Sequence, residues 1–265
     1  MIIFRIYGRN KPLMRKTVIA NWKMHYGPVK AGAWIRAFRR ERLPKDLEIG
    51  VAVPFVSLAA ARASLGRAGV PHLGAQDSFW ANEGAFTGEI GPAMLKEFAL
   101  DFCLVGHSER RLHLGETDEM VGKKAVALQK NGIRPVICVG ETDAQRKKGE
   151  TLKVVRAQLA AVLAAGLKVD GVGSPIIAYE PVWAIGSGKP CSAQDAKVVH
   201  EAIREALVKK FGKSGQEIPV LYGGSVDNRN VGEYLSTTHI DGVLVGSASL
   251  DPRAFGMLCR AAVPA

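Results

Sequence analysis

The sequence predicts a single-domain (β/α)8 barrel, and three observations point there. Apolar runs of four or five residues recur eight times, separated by amphipathic stretches; most of the runs lack in–out alternation; and polar residues collect just behind them. Continuous apolar strands belong to parallel sheets covered on both faces. Eight strand–helix units without a composition break fit a closed barrel better than the runner-up, a doubly wound open sheet. A chain of 265 residues is long for one domain, but barrels of about 250 residues are routine.

Taken in order, the strands are expected at 17–20 (TVIA), 49–53 (IGVAV), 72–75 (HLGA), 102–105 (FCLV), 135–139 (PVICV), 175–179 (PIIAY), 219–222 (PVLY) and 242–245 (GVLV). Between them helical periodicity predicts helices over 29–42, 116–130, 151–165 and 193–210. The last places Ala196, Val199, Ile203, Ala206 and Leu207 on one stripe with charges opposite. The barrel is expected to occupy residues 14–265. Residues 1–13, MIIFRIYGRNKPL, carry Arg5 and Arg9 in their apolar stretch and no small-residue cleavage site, so they make a poor secretory signal. They read either as a short basic extension or as a misassigned start, with translation beginning at Met14.

Composition removes several classes of function. With 47% hydrophobic and 23% charged residues the chain is ordinary globular protein rather than disordered. No apolar run approaches the roughly 18–20 residues that cross a bilayer, so no membrane partner is expected. Cys103, Cys138, Cys191 and Cys259 form no CxxC pair and no metal-ligand cluster. They read as buried thiols of a cytoplasmic protein, and no metal is expected. The net charge of +11 raises the question of nucleic acid. The densest basic runs (39–40, 146–148, 209–210) fall on predicted helix surfaces, so a solvated basic exterior is the better reading. Such a field can also steer a small anionic substrate.

The polar residues behind the strands are the informative ones. Asn21 and Lys23 follow the first, Gln76 the third, His107 and Glu109 the fourth, Glu141 the fifth and Glu180 the sixth. Glycine and serine follow the seventh (Gly223, Gly224, Ser225) and the eighth (Gly246, Ser247). All eight strand ends of a parallel barrel point one way, so these residues converge on the rim where barrel enzymes keep their sites.

Glu180 is the natural general base, its proton affinity rising if water is removed around it. Alone, such a glutamate would be a surface salt-bridge partner. It is followed, however, by Pro181, Val182 and Trp183, a stiff hinge, and by Gly186, Ser187 and Gly188, a permissive tip, the composition of a swinging lid. The same string fails as a Walker A loop at Trp183 and Pro190, and as a dinucleotide fingerprint at Cys191. His107 opens a predicted helix with Ser108 as N-cap, so the helix dipole is expected to lower the imidazole's proton affinity and leave a neutral donor for a developing oxyanion. Lys23 offers a cation for a phosphate or an enediolate. The two glycine-serine loops suit a phosphate held on backbone amides against a helix N-terminus. Together these parts describe proton abstraction beside a carbonyl on a small phosphorylated substrate.

From about Arg15 to the C-terminus the chain closely resembles the triosephosphate isomerase family, for which a glutamate base with a neutral histidine is a recognised hallmark. The motifs NWKM, GAFTGEI, VGHSERR, ICVGET, AYEPVWAIGSGK, LYGGSV and DGVLVGSASL occur in family order. The resemblance implies a TIM barrel that interconverts dihydroxyacetone phosphate and D-glyceraldehyde 3-phosphate in glycolysis and gluconeogenesis. It implies catalytic roles for Glu180, His107, Lys23 and Asn21. Asn21 and Lys23 would also touch substrate, with phosphate on Gly186, Ser225, Gly246 and Ser247. The implied lid is Pro181, Val182, Trp183, Ala184, Ile185, Gly186, Ser187, Gly188 and Lys189, with Glu141 beside Trp183 when it is open. The family needs neither metal nor organic cofactor and is typically homodimeric, the segment around Thr87 docking beside the partner's site. Ser247 stands where glycine is frequent, Ser187 replaces threonine, and the segment 77–82, with Trp80, departs at the dimer contact. An isomerase of a tetrose or tetrulose phosphate, or a non-catalytic phosphate-binding barrel, is the alternative.

Overall fold

Eight parallel strands close on themselves in chain order, β8 pairing back onto β1. A computed structural model describes residues 15–263 other than 67, 170, 172 and 187–189. The strands are β1 (Lys16–Asn21), β2 (Leu47–Val53), β3 (His72–Ala75), β4 (Phe102–Val105), β5 (Arg134–Val139), β6 (Ile176–Tyr179), β7 (Val220–Tyr222) and β8 (Gly242–Val245). The first four helices are α1 (Pro28–Phe38), α2 (Leu58–Leu65), α3 (Pro92–Glu97) and α4 (Ser108–Leu114). They are followed by α5 (Asp118–Lys130), α6 (Asp143–Lys147) and α7 (Thr151–Ala164), then α8 (Ala193–Phe211), α9 (Val231–Ser236) and α10 (Pro252–Ala261). Among the described residues no helix is long and apolar enough to cross a membrane. The expected extension 1–13 lies outside them.

The strands lack alternation because both faces are buried against apolar partners. Ile19, Ala52, Leu104, Val136, Cys138, Ala178, Leu221 and Leu244 fill the barrel. Their neighbours Val18, Ala20, Val51, Val105 and Val243 pack outward into the helix layer. At the N-terminal end Phe102 plugs the interior. A Cβ on Gly50 or Gly74 would come within 2.7 or 2.3 Å of its ring, which is why those two strand positions carry no side chain.

Helix starts follow local chemistry. Proline occupies the first turn of α1, α3 and α10, where its missing N–H costs nothing. The side chains of Thr117, Ser192 and Asp251 cap α5, α8 and α10, and Thr142 forms a capping box with Gln145 on α6. The helix expected over 29–42 stops at Phe38, and that expected from 116 starts at Asp118 because Thr117 is its cap.

Candidate active site

The C-terminal mouth of the barrel carries a buried acid–imidazole pair. Glu180 leaves the end of β6 with its backbone N–H donated to Val139 O at 2.8 Å, which fixes its position across β5. A Cβ on Gly140 would lie 1.8 Å from Glu180 O and one on Gly223 2.9 Å from Glu180 Cγ, so glycine on either side makes the seat for this residue. His107 follows β4, reached through Gly106 at φ +72°, a left-handed conformation that favours glycine. His107 Nε2 stands 3.0 Å from Glu180 Oε1, and the Ser108 N–H donates to Glu180 Oε2 at 2.9 Å. Their side chains are 7% and 3% exposed, so water screens this contact little.

The imidazole caps α4 itself: Nδ1 accepts the Glu109 N–H at 3.2 Å. Sequence reasoning gives that cap to Ser108, whose N–H is instead taken by Glu180. Because Nδ1 accepts, the ring proton sits on Nε2, facing the carboxylate. The expected lowering of the histidine's proton affinity is not what this arrangement produces. Burial lowers it, but the charge of Glu180 and the hydrogen bond to it outweigh burial and carry the pKa above its ordinary value. For Glu180 burial pushes upward, while the electrostatic pull and hydrogen bond of His107, the Ser108 N–H and Lys23 hold the carboxyl below the usual range. Glu180 is therefore ionised at neutral pH.

Lys23 reaches the same mouth from β1. Its Nζ lies 2.5 Å from Glu109 Oε1 and its chain passes Gly246, where a Cβ would approach Lys23 Cε to 3.5 Å, so it spans from β1 to the end of β8. Its backbone is strained, at φ +53° for a non-glycine residue. Asn21 Oδ1 holds it there by accepting the Lys23 N–H at 2.9 Å. Gln76 locks the same turn, its Nε2 donating to Lys23 O at 2.8 Å and to Asn21 Oδ1 at 3.3 Å. Sequence reasoning places Gln76 and Glu109 on the rim without a role; one holds the cation's backbone and the other its charge. Neither contact leaves a trace in the sequence beyond a polar residue behind a strand.

Past Glu180 a 3-10 turn, Val182–Ala184, follows Pro181. The Trp183 indole donates to Glu141 Oε1 at 2.8 Å, and Tyr179 Oη lies 3.2 Å from both Glu141 oxygens. The Arg146 guanidinium sits 3.6 Å over the Trp183 ring. Gly186 is exposed at φ +66°. Of the expected lid, Ser187, Gly188 and Lys189 lie outside the described residues.

Behind β7, Ser225 O accepts at 3.2 Å from Nδ2 of Asn230, the N-cap residue of α9, which starts at Val231. Behind β8 a 3-10 turn, Ser247–Ser249, begins directly after Gly246, where the first amides of a turn have no partner within it. Gly246 lies beside the Lys23 side chain, and Ser247 follows it, exposed. Thr87 is exposed in the long connection from β3 to α3.

The comparisons with known proteins agree with one another. The family model described as Triosephosphate isomerase matches residues 16–262. A triosephosphate isomerase of Thermoanaerobacter sp. (strain X514) is 43% identical over 239 residues, 89% of this chain and 96% of the relative. One of Streptococcus thermophilus (strain ATCC BAA-491 / LMD-9) is 43% identical over 246 residues, covering 92% and 97%. One of Thermus thermophilus is 42% identical over 251 residues, 94% of this chain and the whole of the relative.

Proposed function

This chain belongs to the triosephosphate isomerase family, and from its rim we infer how its residues divide the interconversion of dihydroxyacetone phosphate and D-glyceraldehyde 3-phosphate. The reaction is a step of glycolysis and gluconeogenesis. Glu180 removes a proton from the carbon beside the carbonyl; the C–H electrons form the carbon–carbon double bond, and the carbonyl oxygen takes the negative charge. The same carboxyl returns the proton to the neighbouring carbon, while the hydroxyl proton passes by way of His107 Nε2 to the oxygen that was the carbonyl, so that the new carbonyl forms where the hydroxyl stood. His107 donates from Nε2 to the oxygens of the enediolate, the substrate separating it from Glu180 and so removing the contact that raises its proton affinity. Lys23 neutralises charge. Asn21, whose Oδ1 is engaged by the backbone of Lys23, contributes through its Nδ2. Gly186, Ser225, Gly246 and Ser247 hold the phosphate on backbone amides. Residues 181–189 close over it and keep water out.

The observation that carries this reading is the 3.0 Å contact of Glu180 and His107, buried at one end of the barrel, with Lys23 pulling on the same carboxyl. A coupled assay on the full chain tests it. Specificity constants measured side by side are expected to favour glyceraldehyde 3-phosphate over a four-carbon aldose phosphate. No turnover of either between pH 6 and 9 would leave a phosphate-binding barrel as the function.

Two copies associate, in this reading, through the connection carrying Thr87, placing it beside the partner's site. Met24 is 97% exposed, Val56 71% and Phe86 46%, each in the segment that follows one of the adjacent strands β1, β2 and β3, apolar side chains that a second copy would cover. Light scattering is expected to give about twice the mass of one chain; a monomer at micromolar concentration defeats this part. Four thiols, all buried and free, suit a reducing compartment, consistent with a cytoplasmic location.

A further inference from the structure

We propose that Tyr26 is a positioning residue for the isomerisation: its hydroxyl ties the strained turn that carries Lys23 to the turn behind β8, and so fixes the distance between the cation and the phosphate amides. The inference rests on the reading of Lys23 and the Gly246 turn as charge and phosphate contacts of the substrate.

Between β1 and α1 the chain passes twice through the left-handed region, at Lys23 (φ +53°) and at Tyr26 (φ +67°). Neither residue is glycine, so both are strained and persist only where their surroundings hold them. Lys23 is held by Asn21, from its own strand, and by Gln76, from the segment after β3. Tyr26 is held from two further directions. Ser57, fully buried after β2, donates its hydroxyl to Tyr26 O at 2.6 Å. The Tyr26 hydroxyl donates to Leu250 O at 2.7 Å, across 224 residues. Its ring stands perpendicular to the buried Trp22 indole, with 5.3 Å between centroids and 83° between planes, which gives the phenol a defined direction.

Leu250 closes the turn behind β8. Its N–H donates to Ser247 O at 3.1 Å, and the Ser249 N–H and hydroxyl both donate to Gly246 O, at 2.9 and 2.6 Å. These bonds make residues 246–250 one compact unit, so a hold on Leu250 O is a hold on the whole turn. Lys23 lies three residues before Tyr26, and its side chain runs past Gly246, where a Cβ would come within 3.5 Å of Lys23 Cε. The tether therefore joins the backbone of the cation's turn to the turn that its side chain reaches.

Packing alone accounts for the contact with Trp22 but not for the choice of residue. Glycine adopts φ +67° freely and a tyrosine does not. The strain falls where a hydroxyl spans two parts of the rim, behind β1 and behind β8. Met24 and His25, between the two strained residues, are exposed, so the turn is gripped at its ends. Without the hydroxyl the catalytic groups remain, but the cation's turn can shift against residues 246–250. A phosphate held between them is then bound less well in ground state and transition state alike, a loss that appears in KM and not in kcat.

Tyr26→Phe keeps the ring and its contact with Trp22 and removes the donor to Leu250 O. It is expected to raise KM about two- to tenfold, the worth of one such hydrogen bond, with kcat changed less than about twofold. The dissociation constant for inorganic phosphate, from competitive inhibition and from a phosphorus NMR titration, should rise by the same factor. Tyr26 and Leu250 are both half-buried, so the unfolding midpoint should move by no more than a few degrees. Tyr26→Gly removes ring and hydroxyl together but suits φ +67°, so the turn still forms; it is expected to weaken phosphate at least as much as Tyr26→Phe. A tyrosine that served only the fold would show the reverse, a lowered midpoint with native KM and native phosphate affinity. Native phosphate affinity in Tyr26→Phe, or a loss of kcat at unchanged KM, would overturn the proposal. Failure of the underlying reading looks different: a native chain that phosphate neither inhibits nor titrates would remove the phosphate site itself, and the role of the tether with it.

Discussion

Glu180→Gln is expected to lower kcat by about 10²–10⁴-fold, the contribution of a positioned general base, or roughly 2.7–5.5 kcal/mol of barrier. The amide keeps the length and volume of the side chain, so the seat made by Gly140 and Gly223 stays filled. What changes is that no atom of it takes a proton from carbon near neutral pH. The carboxylate accepts from His107 Nε2 on one oxygen and from the Ser108 N–H on the other. Glutamine has one oxygen for those two donors, so one of them faces an NH2 group, a local cost that leaves the barrel folded. The unfolding midpoint should therefore stay within a few degrees of native while turnover collapses. In the native chain the acid limb of kcat/KM, which reports the free enzyme, should follow His107 and lie above the ordinary histidine value, because Glu180 is held down while its charge and hydrogen bond raise the imidazole. A glutamine variant retaining a tenth of native kcat would remove Glu180 from the role of base.

All eight strands are legible in the sequence for a simple reason. A strand buried on both faces has no polar position, so PVICV or FCLV can be nothing but interior, and the observed ends differ from the expected ones by no more than two residues. The discrepancies have causes. β2 begins two residues early, at Leu47, because Glu48 is held at the barrel's lower end by Thr17 and Arg134 and so pairs as strand despite its charge. Helices α3 and α9, six residues each, are too short to display a period. Glu180, His107 and Lys23 stand out because a strand end has one meaning in a parallel barrel. What the sequence does not display is contact between loops of different strands. Glu109 against Lys23 joins β4 to β1, Gln76 against Asn21 joins β3 to β1, and Tyr234 meets Cys191 across 43 residues. Lys124 is the sharpest case, since a lysine within an amphipathic helix reads as solvated surface, yet it is 3% exposed.

Lys124→Met should destabilise the chain by about 3–5 kcal/mol at neutral pH, the cost of stripping one partner from a buried ion pair. Lys124 Nζ lies 2.8 Å from Asp77 Oδ1 and 2.7 Å from Glu116 Oε1. Arg110 binds the same two acids, at 2.7 Å to Asp77 Oδ2 and 2.9 Å to Glu116 Oε2. Two cations thus hold two carboxylates in a nearly dry pocket. Methionine matches the lysine stem but leaves one cation between two buried anions. The loss has a pH signature of defined sign. Asp77 is already raised above its ordinary value, by burial first, with Lys124 the main force holding it down. Without Lys124 it rises further, so the folded variant takes up a proton that the native fold does not. A group raised in the folded state adds stability below its folded pKa and withdraws it above, so the deficit should shrink as pH falls from 7.5 toward 5. Denaturant unfolding at both values checks this, and a deficit independent of pH would mean that lost packing, not charge, is the cause. Asp77 also begins the connection that carries Phe79, Phe86 and Thr87, so the charge cluster pins the base of the surface proposed to meet a second copy. The variant should accordingly dissociate at a higher protein concentration than the native chain, by light scattering across a dilution series. A dimer that weakens while the pH-dependent deficit is absent would place Lys124 in the interface instead of beneath it.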